Sequence, residues 1–216
     1  MASGAIEPVT GWILKKIAAF LGFLRLTPNI LTVTGVILNT AVGVVLAEGR
    51  FFWGAWLYLL VSMTDLLDGI LARQKNMSSA FGGFLDSVMD RFGDAAIFSG
   101  ILLHYAFIHN VPCMLITFAA LCGAMITSYT RARAEVLIPK CKVGFMERPE
   151  RVILMSIGLV FNRLPICLLL MAISSLITIV DRIVFTKKAL ERDSGERPSM
   201  RENDLEPAAT KGLPPG

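Results

Sequence analysis

Four aspartates fall within 26 residues of an otherwise apolar chain, in the stretch DLLDGILARQKNMSSAFGGFLDSVMD from Asp65 to Asp90. Asp65 and Asp68 stand three apart, and Asp86 and Asp90 four apart, so each pair shares one face of a helix. Burying carboxylates beside lipid costs roughly 2.5–3.5 kcal/mol each on insertion scales, so four together need a strong cationic partner. Arg73 and Arg91, the nearest basic side chains, could neutralise only part of that charge, and helix capping would leave the rest unexplained. With no His or Cys close by, an all-carboxylate donor set points to hard cations such as Mg²⁺ or Mn²⁺. Two such ions sharing carboxylates can clamp a pyrophosphate and stabilise charge on both the attacking and the leaving oxygen. Phosphoryl transfer asks mainly for that positioning and positive charge.

The elements that must hold these acids are membrane helices. The chain has 216 residues, of which 54% are hydrophobic and only 18% charged, and its long apolar runs exceed what a soluble core of this size needs. The expected fold is an all-α integral membrane protein with six transmembrane helices, preceded by an amphipathic helix lying on the bilayer. That interfacial helix is expected over 10–24, where Lys15 and Lys16 oppose an apolar face. The spans are expected at 28–47, 51–72, 84–108, 111–134, 149–162 and 165–185. Residues 1–26 form the N-terminal cytoplasmic segment, 27–188 the six-helix domain, and 189–216 a disordered cytoplasmic tail rich in charge, Pro and Gly. Gly82-Gly83 is read as the close turn by which the chain re-enters the membrane.

A hairpin between the second and third spans brings the two acid pairs to one membrane face. His104 and His109 fall at the other end and are read as interfacial. Basic residues gather on the acidic face, from Lys15 through Arg73, Arg131, Arg133, Lys140, Arg148 and Arg151 to Lys188, whereas the opposite face holds only Arg50 and Arg163. The positive-inside rule therefore puts both termini and the acid cluster in the cytoplasm of a multi-pass cell-membrane protein. The net charge of +4 reflects this topology; no basic run alternates with exposed aromatics, so no nucleic-acid partner is expected. No cleaved signal peptide is evident at the start, and the four cysteines show no paired spacing that would suggest a disulfide or zinc site.

Gly69 and Ala72 lie one turn apart on the face of Asp65 and Asp68. Small residues there suit a nucleotide lying against the helix, and suit helix packing equally well. Arg73 at the membrane edge could pair with a phosphate or anchor the helix. Arg131 and Arg133 end the fourth span, Arg148 and Arg151 open the fifth, and Arg182 lies inside the sixth. Arginines converging from three helices would make a bidentate site for a phosphate dianion. Arg133 and Arg148 are read as snorkelling at the cytoplasmic boundary, whereas the apolar flanks of Arg182 give it a buried role.

Asp65, Asp68, Gly69, Ala72, Arg73, Gly82, Asp86 and Asp90 reproduce the signature D-x-x-D-G-x-x-A-R-x8-G-x3-D-x3-D, and the chain resembles the CDP-alcohol phosphotransferases that carry it. The resemblance covers about 27–188. It implies two Mg²⁺ per site, with Mn²⁺ as a substitute, held by Asp65, Asp68, Asp86 and Asp90, and it implies Asp90 as the base that takes the acceptor's proton. It also implies CDP contacts by Asp65, Asp68, Gly69, Ala72, Arg73 and Gly82, with Asn29 and Thr32 approaching the nucleotide before the first span. A homodimer is implied as well. SYTRARAE followed by GFMERPER resembles the phosphatidylinositol-phosphate synthases and their archaeal ether-lipid relatives within the family. This match implies transfer from CDP-diacylglycerol or CDP-archaeol to inositol 1-phosphate, with Ser128, Arg131, Arg151 and Arg182 at the acceptor phosphate. Arg131 stands where that subgroup often has lysine. Glycerol 3-phosphate is the rival acceptor. A cation transporter would need acids near the midplane between repeats, which this chain lacks, and a non-catalytic scaffold would keep the acids for packing alone.

Overall fold

The computed structural model describes residues 28–74, 79–141 and 143–196; within them, the side chains of 28–29, 31, 64–74 and 193–196 lie outside the description. The described residues are helical, with no strand, and form α1 (Pro28–Ala47), α2 (Phe51–Gln74), α3 (Ala80–Phe107), α4 (Val111–Leu137), α5 (Arg148–Val160) and α6 (Leu164–Glu196). The expected interfacial helix at 10–24 and the segment 197–216 lie outside the described residues. Each tight turn has a local cause. Gly49 adopts φ +77° between α1 and α2, and His109 and Asn162 take left-handed conformations after α3 and α5. Asn110 caps α4, its side chain accepting from Cys113 N at 3.2 Å, with Pro112 in the first turn.

The helices close into a ring in the order α1, α2, α5, α6, α4, α3. Leu46, Ile97, Ile101, Met155, Leu159, Leu168 and Met171 fill its core. The tightest seam joins α1 to α3, where Gly43 and Gly100 let the two backbones touch. Outward, the ring shows an almost unbroken apolar surface, with Trp53, Trp56, Leu60, Phe118, Leu169 and Ile177 all more than 45% exposed. A patch of that extent fits a lipid environment rather than water. Among the described residues, two helical stretches, 111–137 and 164–192, are long and apolar enough to cross a membrane, and 32–47 and 51–63 are shorter apolar stretches.

Two helix bounds depart from the sequence expectation by more than three residues, and one helix is short for a crossing. α3 begins at Ala80 rather than at 84, because Ser79 caps it, its Oγ accepting from Gly82 N at 2.9 Å. Gly82 and Gly83 therefore belong to the first turn of α3, and Asp86 and Asp90 fall in its second and third turns. α5 has only 13 residues, or about 20 Å, against the roughly 30 Å of a hydrocarbon core. α6 continues to Glu196, well past 185 and into the segment expected to be disordered from 189. Its added turns are rich in the helix formers Lys, Ala, Leu, Glu and Arg, and Lys187 pairs with Glu191 one turn on at 3.8 Å.

Candidate active site

Ring closure leaves a cavity of ≈ 380 Å³ at the end of the bundle where α3 begins, within the range of small-molecule sites. Its wall is strongly charged. Five arginines line it (Arg91, Arg131, Arg148, Arg151 and Arg182), together with four carboxylates (Asp90, Asp94, Glu135 and Glu147). Every member of the predicted acceptor set, Ser128, Arg131, Arg151 and Arg182, lines this one cavity, and so does Asp90.

Arg182 is 2% exposed and is held by backbone and carboxylate together. Its Nε donates to Val143 O at 3.0 Å, Nη1 to Thr127 O at 2.6 Å and Nη2 to Glu147 Oε1 at 3.4 Å. These bonds fasten the 138–147 loop onto α6. Gly144 sits directly over Thr178 and Arg182 with φ +106°, a conformation that favours glycine. Arg131 donates to Glu147 Oε1 at 2.9 Å and to Glu135 Oε1 at 3.2 Å, so Glu147 bridges two of the predicted phosphate-binding arginines. Arg151 is 5% exposed and donates to Asp94 Oδ2 at 2.8 Å, while its Nε has no partner among the described residues.

Arg133 is exposed, in keeping with a boundary position. Arg148 turns into the cavity and pairs there. Its Nη1 lies 2.7 Å from Asp90 Oδ1 and its Nε 4.0 Å from Asp94 Oδ1, because α5 starts level with these acids on α3. Asp86 and Asp90 line a small crevice next to the main cavity, against Thr32, Gly35 and Asn39 of α1. Asp65 and Asp68, with Gly69, Ala72 and Arg73, lie on the last turns of α2, but those side chains, like that of Asn29, are outside the described residues. The first-turn position of Gly82 puts it on α3, the helix of Asp86 and Asp90.

Three of these groups were not singled out from sequence. Asp94 continues the four-residue spacing of Asp86 and Asp90, a signal that was available. Glu135 stands one turn after Arg131 on α4, a spacing that was also available, whereas the importance of Glu147 comes from arginines brought to it by α4 and α6.

The profile of the CDP-alcohol phosphatidyltransferase family matches residues 25–188, which contain every wall of the cavity. The chain belongs to that family. It is therefore a phosphatidyltransferase, and the resemblance seen in the 65–90 signature holds across the domain. Among its relatives, an archaetidylinositol phosphate synthase from Pyrococcus horikoshii is 36% identical, over 86% of this chain and 97% of the relative. A phosphatidylinositol phosphate synthase from Cutibacterium acnes is 35% identical over 84% of this chain and 96% of its own length. Among solved structures, the Mycobacterium tuberculosis phosphatidylinositol phosphate synthase with CDP-DAG bound superposes with a TM-score of 0.75 at 32% identity, covering 81% of this chain and 93% of that one. The same mycobacterial enzyme in complex with manganese and citrate gives 0.74 at 32% identity, covering 80% of this chain and 88% of that one.

Proposed function

We propose that the protein transfers the phosphatidyl group of CDP-diacylglycerol, or its ether-lipid equivalent from CDP-archaeol, to inositol 1-phosphate, giving phosphatidylinositol phosphate (or its archaetidyl counterpart) and CMP. One observation carries this reading: Arg151 and Arg182 are buried in the wall of a cavity that Arg131, Ser128 and Asp90 also line. Guanidinium groups from three helices, two of them buried, are a fitting receptacle for a phosphate dianion, which the acceptor carries and a simple alcohol lacks. The relatives' names support the same acceptor.

In this mechanism the arginines hold the acceptor's phosphate and thereby bring one ring hydroxyl towards Asp90. Asp90 accepts the hydroxyl proton on a carboxylate oxygen. The freed oxygen bonds to the lipid-bearing phosphorus, and the bond from that phosphorus to CMP breaks. Ser128 and Arg131 close the far wall. Asp65, Asp68, Asp86 and Asp90 would hold two divalent cations, Mg²⁺ with Mn²⁺ as a substitute. The residues suit them: the set is all carboxylate, Asp86 and Asp90 stand one turn apart beside a polar crevice, and Arg148 engages Asp90 Oδ1 while, among the described residues, Arg91 lies 4.0 Å from Oδ2. When bound, such cations neutralise a pyrophosphate and stabilise the charge on its leaving oxygen. Thr32, with Asn29, Gly69, Ala72, Arg73 and Gly82, would meet the CDP moiety.

The six-helix bundle spans the cell membrane in this reading, with α5 as a short member that stops before a full crossing. Both termini and the cavity face the cytoplasm, on the side where the basic residues collect, and the enzyme works as a homodimer. CMP release from CDP-diacylglycerol by the purified protein, measured with inositol 1-phosphate and with glycerol 3-phosphate in turn, is the test. Turnover with inositol 1-phosphate alone is expected; turnover only with glycerol 3-phosphate would overturn the assignment.

A further inference from the structure

We propose that Asp94 is a positioning residue of the acceptor site: it fixes Arg151, with Arg148 beside it, in the orientation that receives the acceptor's phosphate. This rests on the reading of the arginine cavity given above. Asp94 lies one turn beyond Asp90 on α3, and its side chain is 12% exposed. Its Oδ2 accepts from Arg151 Nη2 at 2.8 Å, and its Oδ1 is 4.0 Å from Arg148 Nε. One carboxylate thus serves two guanidinium groups that stand a turn apart on α5.

The bridge links two helices whose backbones stand apart. Among the described residues no Cα of α3 comes within 8 Å of one in α5, so side-chain pairs such as Asp94–Arg151 are what join the two walls across the cavity. Arg151 is 5% exposed, and the Nε that Asp94 does not engage has no partner among the described residues. A buried, unpartnered N–H on a cavity wall calls for an acceptor oxygen, and a phosphate offers several. Asp94 itself would repel that phosphate, so its effect passes through the arginines. Without its charge the two guanidinium groups would repel each other and the Arg151 fork would lose its anchor.

The test uses metal-loaded protein in lipid nanodiscs, with Asp94→Asn and Asp94→Glu beside the wild type. Asp94→Asn should raise KM for inositol 1-phosphate at least tenfold and leave KM for CDP-diacylglycerol within twofold, and competition by inorganic phosphate should weaken in parallel. Asp94→Glu, which restores the charge, should recover part of the loss. An unchanged acceptor KM would overturn the proposal. So would equal increases in both KM values with a lowered melting temperature, which mark a merely structural role. A wild type that does not turn over inositol 1-phosphate would instead refute the function proposed above. In that event, protection of the melting temperature by inorganic phosphate, compared between wild type and Asp94→Asn, decides the role of Asp94: equal protection overturns it, weaker protection in the variant supports it.

Discussion

Replacing Gly100 by alanine tests whether the α1–α3 seam sets the geometry of the site. A Cβ at residue 100 would lie 2.0 Å from Gly43 O, 2.6 Å from Gly43 C and 2.7 Å from Gly43 Cα. These are backbone atoms and cannot rotate away, as a flexible side chain would. Ordinary contact begins near 3.5 Å, so α1 and α3 must part by roughly 1 to 1.5 Å. Overpacking of this kind costs about 1–3 kcal/mol in stability. The larger effect should be on rate. α3 carries Asp86 and Asp90, α1 carries Thr32 and Asn39 against them, and the seam is their common support. Misplacing reacting groups by about 1 Å can cost on the order of 100-fold. Gly100→Ala should therefore lower kcat for CMP release by roughly 10- to 100-fold while the protein still purifies as a folded species. Gly83→Ala is the matched control, because a Cβ there meets nothing within 4 Å. A Gly100→Ala enzyme with wild-type kcat and melting temperature would refute the argument that this contact positions the acids.

Asp86→Asn and Asp90→Asn should each abolish CMP release while membrane insertion and the helical circular-dichroism signal persist; normal turnover in either would contradict the assigned roles. Chelating divalent cations should stop turnover, and adding back Mg²⁺ or Mn²⁺ should restore it in a CMP-release assay. Arg182→Met would leave the carbonyls of Val143 and Thr127 without their donor. It should destabilise the protein by about 2–3 kcal/mol in thermal melts and raise the acceptor KM. Gly144→Ala forces a side chain into a left-handed backbone, with its Cβ 2.4 Å from Thr178 Cγ2. It should cost about 1–3 kcal/mol and raise KM for the phosphorylated acceptor more than for CDP-diacylglycerol, as read by steady-state kinetics.

Much of this molecule was legible in its sequence because the cues are local. Pro28, the Glu48-Gly49-Arg50 turn, Asn110-Val-Pro112 and Asn162-Arg163-Leu164-Pro165 mark helix ends through backbone chemistry that needs no tertiary partner. The spacing of the aspartates and the arginine-rich ends of the fourth and fifth helices were equally readable, and Ser128, Arg131, Arg151 and Arg182 do line one cavity with Asp90. Ser79 could have been recognised as a cap, which would have moved the start of α3 back to Ala80. What could not be read were pairings made across the ring. Arg148 looks like any boundary arginine until α3 brings Asp90 to it, and the bridging role of Glu147 exists only because α4 and α6 deliver Arg131 and Arg182 to the same oxygen. Sequence spacing reports neighbours along one helix and is silent about neighbours on another.

The brevity of α5 has a consequence for how two unlike reactants meet. Its 13 residues begin level with Asp90 and Asp94, so the two further turns that a full crossing would need are missing from the side where α3 starts. The chamber occupies the room those turns would have filled. If the bundle crosses the membrane as proposed, the floor of this recess lies near headgroup depth. A water-borne sugar phosphate can descend to it, and a lipid can offer its phosphorus without withdrawing its tails from the oil. Lengthening that helix to a complete crossing would plug the recess in which the two phases exchange a group.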